Sequence, residues 1–286
     1  MTFQTTEPPF RFRQGTRPLL ISMPHVGTHV PPELAVRFTD EGQRVPDTDW
    51  HLERLYDFAD ELGASVLVAT HSRFVIDLNR PPDGASLYPG QSVTGLCPVD
   101  LFDDQPLYRD PTDVPGEAEI AQRRDAIWQP YHAQLAQELA RLQAAHGAAA
   151  LWDAHSIRSV VPRFFEGTLP DLNLGTANGA SCSPVLAELL LSIGKQATGY
   201  TAVLNGRFKG GHITRQYGNP TQGVHAVQLE MTQSSYMQES WPFDYLPAVA
   251  EGVQPHVRRM LEAVLAFVRP EAIGMPCPGA EALLSR

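Results

Sequence analysis

Short apolar runs that stop abruptly at histidine, aspartate or glutamate constrain this chain more than any other feature. Leu19-Leu20-Ile21-Ser22-Met23 leads into Pro24-His25-Val26-Gly27, and Ala148 to Trp152 leads into Asp153-Ala154-His155-Ser156. Val224 to Met231 alternates in polarity and carries Glu230 near its end. Runs of this length, bounded by turn residues, predict buried strands. Ser65 to Ala69, Arg73 to Leu78 and Thr201 to Leu204 read as further strands. Between them lie stretches of helical period: Glu33 to Phe38, Trp50 to Leu62 with Asp49 or Thr48 as N-cap, Glu117 to Ala145 with a break near Pro130, Ser183 to Ile193, and Asp244 to Val268. Residues 81–115, rich in proline, and residues 157–181 read as long loops, the first a candidate to close over a ligand. Strands and helices alternate, which predicts an α/β fold with a mixed, mostly parallel sheet and helices on both faces. Ligands of such sheets bind beyond the carboxyl ends of the strands.

The chain has 286 residues, 43% of them apolar, which suits one large α/β domain or two small ones; a single catalytic domain is expected, with a core over about 18–268 and an irregular tail at 270–286. Its formal charge is −10, and no basic patch is visible, so a nucleic-acid partner is not expected. A site for an anionic substrate must then be locally basic against an acidic background. No apolar run reaches the length of a membrane helix, and Met1 to Gln14 lacks the apolar stretch of a secretion signal. Cys97, Cys182 and Cys277 are widely spaced and odd in number, which argues against a disulfide framework and for reduced thiols in the cytoplasm. A monomer or small homo-oligomer is expected.

Any metal must therefore be held by histidine and carboxylate. His25 and His155, each just past an apolar run, are candidate ligands, although either alone could be an ordinary core histidine. Catalytic zinc sites use three protein ligands and leave a position open. Asp49 and Asp47 are candidates for the third. Asp153 could ligate, or could orient a ligand histidine from behind. Glu230 could serve as a proton-transferring base, or could pair with an arginine or a backbone amide. Arg73 and Arg80 offer fixed positive charge for a carboxylate, or a salt bridge to Asp77. No GxSxG elbow accompanies Ser22, Ser156 or the cysteines, so a nucleophilic triad is disfavoured.

Pro24 to Gly27, Ser72 to Pro81 (SRFVIDLNRP), Asp153 to Ser156 (DAHS), Gly210 to Thr214 and Gln228 to Glu230 (QLE) together resemble the N-formylglutamate amidohydrolase family, from about residue 18 to residue 236. That family is distantly similar to zinc carboxypeptidases and aspartoacylases. The resemblance implies a three-layer phosphorylase/hydrolase-like α/β fold and one zinc ion, or another divalent ion such as Co2+. It also implies a small N-acyl amino acid as substrate and hydrolysis of a linear amide, N-formyl-L-glutamate giving formate and L-glutamate as the last step of a histidine degradation route. By the same resemblance, His25 and His155 are metal ligands and Glu230 is the general acid/base. Arg73 polarises the scissile carbonyl, and Asn79 with Arg80 holds the α-carboxylate. His212 and Arg215 are candidates for the γ-carboxylate. The relatives place a glutamate three residues after the first histidine, where this chain has Thr28; Asp49 is expected to supply that ligand, with Asp47 and Glu33 as alternatives. Two competing functions are a deacylase of another N-acyl acidic amino acid and a non-catalytic sensor that keeps the pocket.

Overall fold

The apolar runs become the middle of a sheet. In the computed structural model, which describes residues 3–86, 90 and 92–268, the strands are β1 (Phe10–Arg13), β2 (Leu19–Met23), β3 (Ser65–Ala69), β4 (Ala149–Ile157), β5 (Leu172–Gly175), β6 (Ala202–Leu204) and β7 (Val224–Thr232). They lie in the order β1-β3-β2-β4-β7-β5-β6. β3, β2, β4 and β7 run parallel; β1 is antiparallel to β3, and β5 is antiparallel to β7 and parallel to β6. The sheet is thus mixed and mostly parallel, as expected. The helices are α1 (Pro32–Ala35), α2 (Asp40–Gln43), α3 (Leu52–Leu55), α4 (Glu117–Arg123), α5 (Gln129–His146), α6 (Pro184–Gln196), α7 (His212–Tyr217) and α8 (Pro247–Phe267).

Alternation along the strands feeds two cores. Leu19, Ile21, Trp152, Val227 and Leu229 meet α3, α6 and α8 on one face. Leu20, Leu67, Ala149, Leu151 and Ala226 meet α5 on the other. Burial of each such Leu or Ile stabilises the fold by roughly 1.5–3 kcal/mol relative to exposure. The two faces together demand the unbroken apolar runs read in the sequence.

Several boundaries differ from expectation. β4 extends to Ile157, so Asp153 and His155 are strand residues rather than loop residues. The helix expected over Trp50 to Leu62 shrinks to α3 and a short 3-10 turn at Asp57–Ala59, because His51 takes a left-handed φ of 62° and caps α3 itself. Neither Asp49 nor Thr48 is that cap. Pro130 has no N–H for the helix ladder, and the chain widens into a π-type turn over Arg124–Trp128 between α4 and α5 instead of breaking. β1 and β5 were not anticipated: β1 is a half-exposed edge, and β5 has only four residues. The 270–286 tail lies outside the described residues.

Arg73 to Leu78 is not a strand. It is a buried, irregular turn whose backbone polar groups are satisfied by side chains. Ser72 Oγ accepts from Phe74 N, and Asp77 Oδ1 accepts from Asn79 N. From the helical arm, Arg123 donates to Val75 O, Trp128 to Arg80 O and His132 Nε2 to Leu78 O. Backbone bonds complete the set, from Val75 N to Ser72 O, Asp77 N to Leu96 O and Arg80 N to Asp77 O, so this apolar stretch needs no ladder partner.

Candidate active site

Strand register assembles the polar groups. Ala149 and Leu151 face α5, so Asp153 and His155 share that face by the period of two. Val224 and Ala226 do the same on β7, which puts Gln228 and Glu230 on that face as well. β4 and β7 pair with Asp153 beside Gln228 and His155 beside Glu230, and Ser22 of β2 lies beside Asp153. The α5 core thus turns polar at the carboxyl end of the sheet.

His25 follows β2 in a loop pressed against the end of β3. A Cβ on Gly27 would lie 2.3 Å from His71 O, so only glycine permits that approach. The Asp49 N–H donates to His25 O at 3.0 Å, which ties the two segments together. His25, Asp49 and His155 are all buried, and one ligand-type atom from each lies within 4.8 Å of the others. Asp49 Oδ2 is 3.0 Å from His155 Nδ1 and 3.8 Å from His25 Nδ1, and it accepts the Ser156 N–H.

The opposite nitrogen of each histidine meets a buried carboxylate: His25 Nε2 is 2.7 Å from Asp77 Oδ1, and His155 Nε2 is 3.2 Å from Asp153 Oδ2. With a cation bound, these carboxylates would favour protons on Nε2 and leave both Nδ1 lone pairs to ligate. The donor set, its burial and the backing carboxylates fit a divalent cation of the zinc type. Burial, with Arg73 nearby, keeps the His25 pKa below the usual imidazole value. Burial acts the same way on His155, but the Asp153 and Asp49 carboxylates outweigh it and raise that pKa well above the usual value. A cation bound there would displace that proton.

The two alternative ligands stand apart. Asp47 accepts the Phe102 N–H at 2.8 Å, and burial raises its pKa to about 6. Glu33 is exposed on α1.

The turn around Arg73 brings in positive charge. Asp77 Oδ2 accepts from Arg73 Nη2 at 2.7 Å and lies 3.9 Å from Arg80. Burial opposes ionisation of Asp77, but His25, Arg80 and Arg73 outweigh it and hold its pKa well below the carboxylate range. The Arg73 guanidinium packs 4.8 Å from the Phe102 ring centroid, and its buried Nε has no hydrogen-bond partner among the described residues. Arg80 is braced by Thr94 O and Thr94 Oγ1, each at 2.9 Å. The Asn79 amide is committed: Oδ1 accepts from Ile213 N at 2.8 Å, so Nδ2 faces Asp153 Oδ2 at 3.3 Å beside His155. A Cβ on Gly211 would lie 2.3 Å from Asn79 Nδ2. Gly211→Ala is therefore expected to push Asn79 off Asp153, lower kcat/KM about tenfold, and destabilise the protein by roughly 1–3 kcal/mol. Steady-state kinetics and thermal melts check this, and an unchanged kcat/KM would refute it.

Glu230 is buried, and desolvation raises its pKa to about 8, with His155 and Arg73 opposing and Asp49 adding to the rise. Gln228 Oε1 accepts the Gly211 N–H at 2.7 Å, which fixes the amide so that Nε2 donates to Glu230 Oε2 at 3.0 Å. That bond engages Oε2 and not Oε1 of Glu230.

His25, Arg73, Asn79, Arg80, His155 and Glu230 line one cleft with about 590 Å3 of empty space, part of it open to solvent. His212 and Arg215 are not among its lining residues. Both sit on α7, where the His212 ring packs beside Trp128 and His132, while Arg215 is exposed and donates to Gly210 O. Ser92 and Phe102 of the 81–115 stretch do reach the cleft, as do Phe164, Arg207 and Gln228, which the sequence had not marked. Gln228 was within reach of sequence reasoning, two residues before Glu230 on the same strand face. Arg207 carried no such signal.

The sequence profile of a family described as N-formylglutamate amidohydrolase matches residues 17–237. An N-formylglutamate deformylase of Pseudomonas putida is 54% identical over 256 residues, 90% of this chain and 95% of that protein. The crystal structure of an N-formylglutamate amidohydrolase from Ralstonia eutropha JMP134 superposes with a TM-score of 0.78 at 24% identity, covering 92% of this chain and 98% of the other. A gene product of Agrobacterium tumefaciens superposes with a TM-score of 0.71 at 17% identity over 91% and 96% of the two chains.

Proposed function

Since the chain belongs to the N-formylglutamate amidohydrolase family, we propose that it hydrolyses N-formyl-L-glutamate to formate and L-glutamate, with one zinc ion held by His25, Asp49 and His155. The observation that carries this reading is that two members of that triad, His25 and His155, share a cleft with Glu230, Arg73 and Arg80 while Asp49 lies within ligand distance of both histidines. A pure binding site needs charge to hold an anion. It has no use for a buried carboxylate whose free oxygen can take and return a proton.

An ion held by His25, Asp49 and His155 would supply Lewis acidity and lower the pKa of a water beside it. Glu230 Oε1 accepts the proton from water and later returns it to the departing nitrogen. Arg73 holds the negative charge that develops on the formyl oxygen, and its unpartnered Nε is a further donor for that oxygen. Arg80 binds the α-carboxylate, with Asn79 beside it. Asp77 and Asp153 keep the two histidines in the ligating tautomer. Asp77 also anchors Arg73, so charge and metal ligands move as one unit. A product pair of formate and glutamate suits the last hydrolytic step of histidine degradation. Cys97 and Cys182, buried and without a disulfide among the described residues, suit a reducing cytoplasm. No helix of the described residues is long and apolar enough to cross a membrane.

Formate release from N-formylglutamate is expected from the purified protein, with N-acetylaspartate and N-formimino substrates at least about tenfold poorer. A coupled formate assay over that panel decides it: preference for another acyl group would move the activity to a different deacylase, and no turnover by metal-loaded protein would favour a sensor.

A further inference from the structure

Glutamate carries two carboxylates, and Arg80 accounts for only one. Arg207, just past the end of β6, lines the same cleft as Arg73, Arg80 and Glu230. Its guanidinium is held in place: Nε donates to Phe164 O and Nη2 donates to Ser92 O at 3.3 Å, with the group 5.8 Å from the Phe164 centroid and 5.4 Å from that of Phe208. A guanidinium pinned at the stem and flanked by rings loses little side-chain entropy when an anion arrives.

The segment that Arg207 grips also spaces it. Arg207 bonds Ser92 O, and Arg80 bonds Thr94 O. Two residues of chain span at most about 7 Å, so one short segment anchors both arginines and keeps the two cations within reach of a single small dicarboxylate. Part of the cleft lining is aromatic. Phe102 lies under Arg73 and meets Phe164 edge-on, with centroids 5.0 Å apart. That surface suits the methylenes joining two carboxylates better than a second polar group.

We propose that Arg207 binds the side-chain carboxylate of the substrate and sets the preference for a dicarboxylic N-acyl amino acid, a role that rests on the deformylase reading above. Arg215 and His212 do not line the cleft and take no part in it.

The test compares N-formylglutamate with N-formylglutamine, which differ only in that carboxylate, in wild type, Arg207→Met, Arg207→Lys and Arg215→Gln. In Arg207→Met the ratio of their kcat/KM values is expected to fall about 30-fold, mainly through KM, because a charge-assisted bidentate contact is lost. Arg207→Lys should recover part of the ratio, and Arg215→Gln should keep it. A merely structural role would slow both substrates alike and leave the ratio where it was, which would overturn the assignment, as would a ratio that collapses only in Arg215→Gln. Calorimetric titration of the zinc-loaded protein with glutarate and its monoamide separates this from the choice of reaction. If wild type fails on N-formylglutamate yet prefers glutarate about 30-fold and Arg207→Met does not, the substrate is wrong and the subsite stands. Equal preference in the two proteins removes the subsite.

Discussion

Glu230→Gln is expected to keep its metal and lose about 10²–10⁴-fold in kcat. Gln is nearly isosteric, and its amide oxygen can still accept from Gln228 Nε2, so the cleft keeps its shape. What disappears is the ability to take a proton at Oε1 and give it back. The loss should therefore fall on kcat, with KM changed little and zinc content by emission spectroscopy unchanged. The same variant has a stability signature. Burial raises the Glu230 pKa from 4.5 to about 8 in the metal-free fold. The folded protein then holds a proton that the unfolded chain releases above pH 4.5, so stability falls as pH rises from about 4.5 toward about 8 and levels off beyond. Gln mimics the protonated form. Metal-free Glu230→Gln should accordingly melt at a higher temperature than metal-free wild type at pH 9 and close to it at pH 5. A variant with near-wild-type kcat, or with no gain in melting temperature at high pH, would contradict the role and environment given to Glu230.

Asp49→Ala is expected to lose bound metal and lower activity by on the order of 10³-fold or more, and a chelator should do the same to wild type, reversibly on adding zinc. Asp49 Oδ2 is the acceptor that both histidine Nδ1 atoms face, so its removal leaves two neutral donors and no compensating charge. Asp47→Asn is the informative partner. Asp47 bonds Phe102 N and lies 3.4 Å from Arg158, away from the triad, and asparagine can still accept the first bond. It should retain stoichiometric metal. If Asp47→Asn empties the site while Asp49→Ala stays loaded, the ligand assignment is reversed.

Much of this arrangement is legible in the chain. His25, His155 and Glu230 stand out because full burial forces the strands to be apolar, and a histidine or glutamate in or just after such a run must have a partner. The charged stretch around Arg73 and Asp77 is equally visible as a set of residues, but not as a shape. Its apolar content read as a strand, and Arg123, Trp128 and His132, about 50 residues away, supply hydrogen bonds that help it fold as a buried turn. Asp49 read both as a possible helix cap, because capping chemistry is local, and as the expected third ligand by resemblance. The left-handed turn at His51 frees its carboxylate for histidines that the chain alone cannot bring near.

The clearest division is between the strand ends and the second carboxylate site. Apolar periodicity determined by itself that a parallel-rich sheet forms and that His25, His155 and Glu230 gather at its carboxyl end, since burial and the two-residue period act along a single strand. The tertiary structure decided which side chains complete the cleft. Arg207 faces Ser92 across 115 residues of sequence, and His212 and Arg215, beside a conspicuous glycine pair, are carried out of the lining by α7. Those placements depend on β6 and α7 packing against strands distant in sequence, and no pattern local to either segment encodes the direction in which its cation ends up pointing.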